Sequence, residues 1–159
     1  MKSFFTLSIF VCCSFNLSAS FKNEAFTPTI KSVKLESSNS NFDLPIITLN
    51  SAEQINLSFD LLSNDAKEFS YTFMKCDALW EKSENIFYHD FAEGMEDQFI
   101  TDFEFSENTT TNYIHYTLDF PSEESKFLIS GNYVLIVKDV ESSNVVMTQK
   151  FYVVESKTK

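Results

Sequence analysis

Apolar and polar residues alternate along much of this chain, and the alternation predicts β-strands. In the clearest stretch, 55–61, every second residue is apolar: Ile55, Leu57, Phe59 and Leu61. A period of two places those side chains on one face of a strand and the polar ones on the other. The same pattern predicts further strands at 30–35, 44–49, 69–73, 99–105, 113–120, 133–140 and 145–154.

Eight short strands with no convincing helix between them are typical of an antiparallel β-sandwich. The loop 141–144 should join the last two strands as a hairpin. Gly131 stands two residues before Tyr133, and the apolar Leu135 follows two residues later. This order resembles the tyrosine corner of immunoglobulin-like sandwiches. We therefore predict an all-β, antiparallel, immunoglobulin-like β-sandwich of about eight strands, in which Gly131 and Tyr133 have structural roles.

The first twenty residues have the features of a signal peptide. Lys2 precedes an apolar run at 4–15, and small residues follow it at 18–20. This pattern predicts cleavage near Ala19 or Ser20 and export of the protein. The run is too short to span a bilayer, and Cys12 at its end leaves lipidation open as an alternative. The predicted domain covers 21–155, and 156–159 form a short tail.

Charge and glycine content exclude several classes of function. The chain has 12 Lys, no Arg and 23 acidic residues, for a net charge of −11. Such a balance does not favour binding to nucleic acid, because phosphates are neutralised by basic patches. Two glycines cannot supply a glycine-rich phosphate loop. The 25 aromatic residues provide enough apolar material for a substantial core.

No catalytic or metal-binding constellation stands out. Cleavage near residue 20 leaves Cys76 as the single cysteine, so no internal disulfide can form. We interpret Cys76 as a buried structural thiol and His115 as a histidine on a sheet surface. None of the ligand spacings of zinc sites or EF-hands occurs. We therefore predict no enzyme activity, cofactor, metal or small-molecule substrate.

Trp80 is the only tryptophan, and it follows the alternating strand at 69–73. We expect it to pack in the core of the sandwich, near Cys76.

The order of several segments resembles the N-terminal domain of the type IX secretion system plug proteins. The segments are 44–51, 57–61, 71–73, 76–80, 91–94, 100–102, 108–110, 113–116, 120–121, 130–133 and 151–155. The most unusual pair combines a Cys-Asp-x-x-Trp sequence that ends at Trp80 with a Tyr-x-His-Tyr sequence that begins at Tyr113. The similarity extends from about Ile30 to Glu155, nearly the whole of the chain that follows the predicted cleavage.

The resemblance implies a periplasmic protein that binds the outer-membrane translocon barrel and keeps its pore closed. Members of the family carry further domains beyond the position of Glu155. Lys159 is therefore expected to be a truncation point, or the first domain acts alone. The alternative from another class is a secreted carbohydrate-binding or adhesion module, which would require exposed aromatic rings.

The segment 90–107 is the candidate partner surface, because it carries seven acidic residues and no lysine. Long ordered loops in compact domains are often functional. The residues predicted to contact the translocon are Phe91, Glu93, Met95, Glu96, Asp97 and Phe99. The other interpretation is a solvated loop that aids solubility and whose apolar residues fold back onto the sandwich.

Overall fold

The computed structural model describes residues 20–38 and 44–156. The predicted signal peptide, except Ser20, lies outside the described residues, and so does Cys12. The described residues form ten strands and one short helix. These elements are β1 (Glu24–Ala25), β2 (Ile30–Ser37), β3 (Ile46–Thr48), β4 (Ile55–Leu61), β5 (Phe69–Cys76), α1 (Tyr88–Phe91), β6 (Gln98–Ile100), β7 (Asp102–Phe105), β8 (Ile114–Phe120), β9 (Gly131–Asp139) and β10 (Val145–Val154).

The strands form two sheets that pack face to face as a sandwich. The first sheet has the order β1-β10-β9-β5-β6, and β3 also pairs with β10. The second sheet has the order β2-β4-β8-β7. All pairs are antiparallel except β3 with β10, which is parallel. The predicted all-β antiparallel sandwich is confirmed, with ten strands where about eight were expected.

The stretch 99–105, predicted as one strand, is divided between the two sheets. Strand β6 pairs with β5 in the first sheet, whereas β7 pairs with β8 in the second. The chain changes sheet at Thr101. Alternation reports only that successive side chains point to opposite sides, so it cannot show where a strand leaves one sheet for the other. The helix α1 was also missed, because four residues are too few to show a helical period.

Aromatic rings fill the space between the sheets. The ring of Phe73 lies 5.1 Å from that of Phe120, 5.0 Å from that of Phe127 and 5.8 Å from that of Phe151. The ring of Phe59 stacks on that of Tyr116 at 5.1 Å. Buried aromatic side chains remove large apolar areas from water, and their edge-to-face contacts add to that stabilisation.

Tyr133 ties the start of β9 to the loop that precedes it. Its hydroxyl donates a hydrogen bond to the carbonyl oxygen of Ile129 at 2.7 Å, and its ring is fully buried. Burial raises the pKa of Tyr133, so the phenol remains a donor at neutral pH. Gly131 begins the strand with a φ of +149°, which residues with side chains rarely adopt. This is the arrangement of a tyrosine corner.

Trp80 does not lie in the core between the sheets, so that expectation was wrong. Its side chain is half-buried in a second cluster, on the outer face of the first sheet. That cluster consists of Cys76, Val134, Ile136, Phe21, Met74 and Trp80. The buried face of β5 ends with Phe73, whereas Cys76 points outward, and Trp80 follows Cys76 to the outer side. Proximity to Cys76 was expected correctly.

The turn between β9 and β10 is organised by the buried carboxylate of Asp139. It accepts hydrogen bonds from Lys67 Nζ at 2.8 Å and from the backbone N–H of Ser142 at 2.9 Å. The hydrogen bond from Lys67 is the largest cause that lowers the pKa of Asp139. The predicted hairpin loop at 141–144 thus rests on a side chain at the end of the preceding strand.

We predict that Tyr133→Phe lowers the free energy of unfolding by about 1 kcal/mol, because the hydrogen bond to Ile129 is lost. Urea denaturation would measure the change. The matched control is Tyr152→Phe, which removes a hydroxyl from a partly exposed ring and should cost less than about 0.5 kcal/mol. Equal effects of the two substitutions would contradict the role given to the Tyr133 hydroxyl.

We predict that Asp139→Asn lowers the free energy of unfolding by about 1–2 kcal/mol at pH 7. Because the pKa of Asp139 is lower in the folded protein than in the unfolded chain, its stabilisation is complete above the unfolded value of about 3.9. It is lost as the pH falls through the folded pKa. Denaturation curves between pH 7 and pH 2 should therefore show the two proteins converging. The exposed Asp65→Asn serves as control, and a constant difference at every pH would contradict the linkage.

Candidate functional site

The segment 90–107 is not one long loop. It contains the end of α1, a short connection at 92–97, the strands β6 and β7, and the start of the following loop. The six residues predicted to bind a partner lie between positions 91 and 99 of this segment. The structure separates them into one buried side chain and five exposed ones.

Phe91 is the buried member, so its assignment as a contact residue was wrong. Its side chain is only 4% exposed, and its ring packs 5.2 Å from that of Tyr88 and 5.8 Å from that of Tyr133. Its carbonyl oxygen accepts a hydrogen bond from the backbone N–H of Leu128 at 2.8 Å. An apolar residue at the beginning of an acidic segment can face either the solvent or the core, and Phe91 faces the core.

The connection 92–97 is held on both sides. The backbone N–H of Glu93 donates to the carbonyl oxygen of Lys126 at 2.8 Å. Gly94 has a φ of +95°, and a Cβ at this position would collide with the carbonyl oxygen of Glu124. The connection therefore lies directly against the backbone of residues 124–126, and only glycine fits at its closest approach.

Gln98 anchors the other end of the connection. Its side-chain oxygen accepts a buried hydrogen bond from the hydroxyl of Tyr71 at 2.7 Å, and its side-chain nitrogen donates to the carbonyl oxygen of Met95 at 3.1 Å. Burial raises the pKa of Tyr71 to about 12, so its phenol is protonated and donates at neutral pH. The sequence analysis did not single out Gln98, because a lone glutamine beside a strand carries no distinctive signal.

The remaining five predicted residues are exposed side by side along the chain. Met95 is 68% exposed and Phe99 62%. The acidic Glu93, Glu96 and Asp97 are exposed as well. The carboxylate of Asp97 accepts a hydrogen bond from Lys138 Nζ at 3.0 Å, an ion pair at the surface. The arrangement presents two apolar side chains among acidic groups on a backbone that is tied down at both ends.

Two further aromatic residues belong to this surface. Phe103 is 43% exposed and Phe105 55%, although their partners across the strand pair, Tyr116 and Ile114, are fully buried. Their alternation with acidic residues is typical of a half-buried strand. Among the described residues, β7 is the last strand of its sheet, so no further strand flanks these two side chains. We call Phe99, Phe103 and Phe105 the aromatic edge.

Phe99 and Phe103 line one shallow pocket of the surface. Its other lining residues are Glu68, Phe69, Ile100 and Thr101. The rings of Phe103 and Phe105 lie 5.9 Å apart. The change of sheet at Thr101 therefore brings β6 and β7 together as one continuous, partly apolar border of the sandwich.

The polar groups considered for catalysis are not brought together. Cys76 is buried on the outer face of the first sheet, and burial raises its pKa to about 11, so it is a neutral thiol. His115 lies on the outer face of the second sheet, where its Nδ1 is 2.7 Å from Oδ1 of Asp60. The two residues are thus on opposite sides of the sandwich. In the described part of the chain, no group of three or more His, Cys, Asp or Glu side chains could hold a metal ion.

A cleft of about 270 Å³ lies between the turn that follows β3 and the segment 121–127. Its lining includes Leu49, Glu53, Phe127 and Val153. The carboxylate of Glu53 accepts a hydrogen bond from the backbone N–H of Thr48 at 2.7 Å and so serves the turn itself. Among residues 20–38 and 44–156, no helix combines the length and hydropathy needed to cross a membrane.

Comparison with known proteins identifies a family and a similar solved structure. Residues 30–155 match the family model described as the type 9 secretion system plug protein 1st domain. A crystal structure of a hypothetical protein from Parabacteroides merdae ATCC 43184 superimposes with a TM-score of 0.80 at 28% identity. The match covers 85% of this chain and 34% of that one, so this chain spans about a third of its relative.

Other comparisons add little. The alkylpurine DNA glycosylase AlkC from Pseudomonas fluorescens, bound to DNA containing an abasic site analog, is 14% identical over 77% of this chain and 30% of that one. Its TM-score of 0.35 is too low to indicate a shared fold. No curated protein matches this sequence.

We predict that Gly94→Ala destabilises the protein by at least about 1–3 kcal/mol, because it combines a strained φ with a clash against the carbonyl of Glu124. Thermal unfolding would measure the loss. Glu93→Ala is the matched control, since it changes an exposed neighbour in the same connection and should stay within about 0.5 kcal/mol. A Gly94→Ala protein as stable as the control would show that the connection is not held against residues 124–126.

Proposed function

This chain belongs to the plug protein family of the type 9 secretion system, whose first domain it matches, and we propose that it binds the outer-membrane translocon barrel from the periplasm and keeps the pore closed. The family model carries this proposal, because it matches residues 30–155 and so covers the sandwich from β2 to β10. The family is a structural component of secretion and not a known enzyme family. A plug-type role in the secretion machinery follows from that membership.

The surface around Met95 and Phe99 supports binding to a protein partner. Both side chains are exposed on a connection whose ends are held by Glu93 and Gln98. A preformed surface loses little conformational entropy when a partner docks, so more of the contact energy remains as affinity. The apolar side chains can act as anchors, and the acidic groups around them can steer the approach of a basic partner.

Family membership indicates a location in the cell envelope or periplasm. For export we propose the predicted signal peptide, with cleavage near Ala19 or Ser20. The contacts of the first described residues are compatible with that position, because these residues are bound to the domain. Ser20 Oγ donates to the carbonyl oxygen of Leu79 at 2.8 Å, and the backbone N–H of Phe21 donates to that of Trp80 at 2.9 Å. We propose residues 21–155 as one domain.

Trp80 does not favour the alternative of a carbohydrate-binding module. Stacking on a sugar requires an open ring face. The ring of Trp80 has Lys150 Nζ 4.5 Å from its centroid and the ring of Tyr152 packed against it at 5.3 Å. The only tryptophan is thus engaged within its own domain.

We predict that Glu93→Lys/Glu96→Lys/Asp97→Lys weakens association with the barrel and makes it less sensitive to salt, because the steering charges are reversed. Co-purification with the barrel across a salt series would measure this. In planar bilayers, the wild-type protein should lower the conductance of the purified barrel, and the variant should do so less. Unaltered association and conductance would contradict a contact at this loop.

The matched control for the charge reversal is Glu24→Lys/Glu36→Lys/Glu141→Lys, which alters the net charge equally at exposed positions in β1, in β2 and after β9. It should leave association almost unchanged. If both triple variants weaken association to the same degree, overall charge is responsible and the loop has no specific role. Failure of the wild-type protein to associate with the barrel would contradict the proposed function.

A further inference from the structure

Strand β7 is an open edge of the second sheet. It pairs with β8 on one side, and no strand in the described part of the chain pairs with its other side. Its register with β8 runs without interruption from Asp102 to Phe105, and all four residues are exposed. An edge strand of this kind offers unpaired backbone N–H and C=O groups to another strand.

The opposite edge of the same sheet is protected against such pairing. Strand β2 has an irregular register between Lys31 and Lys34, and Ser32 within that interval has a φ of +51°. Bulges and lysines are the usual devices by which sheets prevent edge-to-edge association. Strand β7 has neither a bulge nor a lysine. Phe103 and Phe105 lie on its face toward the other sheet, yet both are partly exposed.

The charges on β7 indicate the chemistry of the strand that would fit. Asp102 and Glu104 lie opposite Thr117 and His115, on the outer face of the sheet. Among the described residues, neither carboxylate takes part in an ion pair. An added strand would place every second side chain beside these carboxylates and the others beside the aromatic edge. Basic side chains fit the first set, and apolar ones fit the second.

A second copy of this chain is a poor occupant of the edge. Pairing β7 with β7 would bring the acidic residues of one copy beside those of the other, and like charges on facing strands are destabilising. The net charge of −11 adds a general repulsion between copies.

We propose that β7 receives an extended segment of another protein, with alternating basic and apolar residues, as an additional strand of the second sheet. The backbone pairing supplies affinity, while Asp102, Glu104 and the aromatic edge select the sequence. This inference rests on the proposed function for the identity of the partner, which is the secretion machinery. It adds the form and chemistry of the segment that is recognised.

A synthetic peptide tests the inference independently of the translocon. The probe is a capped octapeptide in which lysine and valine alternate, and its binding to the full chain is followed by fluorescence anisotropy. The control peptide carries glutamate in place of lysine. We expect the lysine peptide to bind, more weakly as salt is raised, and the glutamate peptide to bind about tenfold less tightly or not at all.

Backbone methylation distinguishes strand addition from a simple charge contact. In a paired strand, the N–H groups of alternate residues point to the same neighbour. N-methylation of the lysines or of the valines should therefore abolish binding in one case and leave it largely intact in the other. Equal effects of the two methylation patterns would overturn strand addition.

Protein variants complete the test. Asp102→Lys/Glu104→Lys should reverse the preference, so that the glutamate peptide binds better than the lysine peptide. Glu24→Lys/Glu36→Lys changes the net charge equally on other strands and should keep the preference of the wild-type protein. No reversal, or reversal in both variants, would overturn the assignment to β7.

Three further outcomes separate the alternatives. The free protein is also tested for dimerisation that depends on concentration. If it dimerises and Asp102→Lys/Glu104→Lys alters the dimerisation, a second copy is the occupant and the proposal is overturned. Barrel co-purification without peptide binding would overturn strand addition and leave the proposed function standing. Peptide binding with the predicted reversal, but without barrel association, would support the edge site and contradict the translocon as its partner.

Discussion

The packing of aromatic rings between the two sheets is the contact on which the rest of the molecule depends. Phe73 of the first sheet meets Phe120 of the second and Phe127 of the segment between β8 and β9. Phe127 in turn forms an isolated β-bridge with Ala92, the first residue of the connection that carries Met95. The conformation of the candidate surface therefore depends on the core, because Phe127 holds the backbone of the connection in place. A change that loosened these rings would disturb the surface without touching it.

The change of sheet at Thr101 determines where the candidate surface lies. It places β6 and β7 at neighbouring borders of the two sheets, so that Phe99 and Phe103 line the same pocket. Within the described part of the chain, the crossing also leaves β7 without a further neighbouring strand, and the aromatic side chains of β7 are partly exposed.

The fold was largely predictable because strand alternation is a local property. The boundaries of β4 and β10 agree with the pattern, and the tyrosine corner at Tyr133 was visible from its spacing to Gly131. The candidate site was predictable only in part. Met95 and Phe99 are exposed as a contact surface requires, whereas Phe91, in the same acidic segment, is buried. Nothing in the local sequence distinguishes these three apolar residues from one another.

Composition and periodicity were sufficient to predict an acidic, aromatic-rich β-sandwich, because charge and alternation are properties of the chain at every position. Tertiary structure settled which apolar side chains are covered. Trp80 lies outside the core and Phe103 is partly exposed, although both follow patterns typical of buried residues. Burial depends on what packs against a face, and that partner comes from a distant part of the chain.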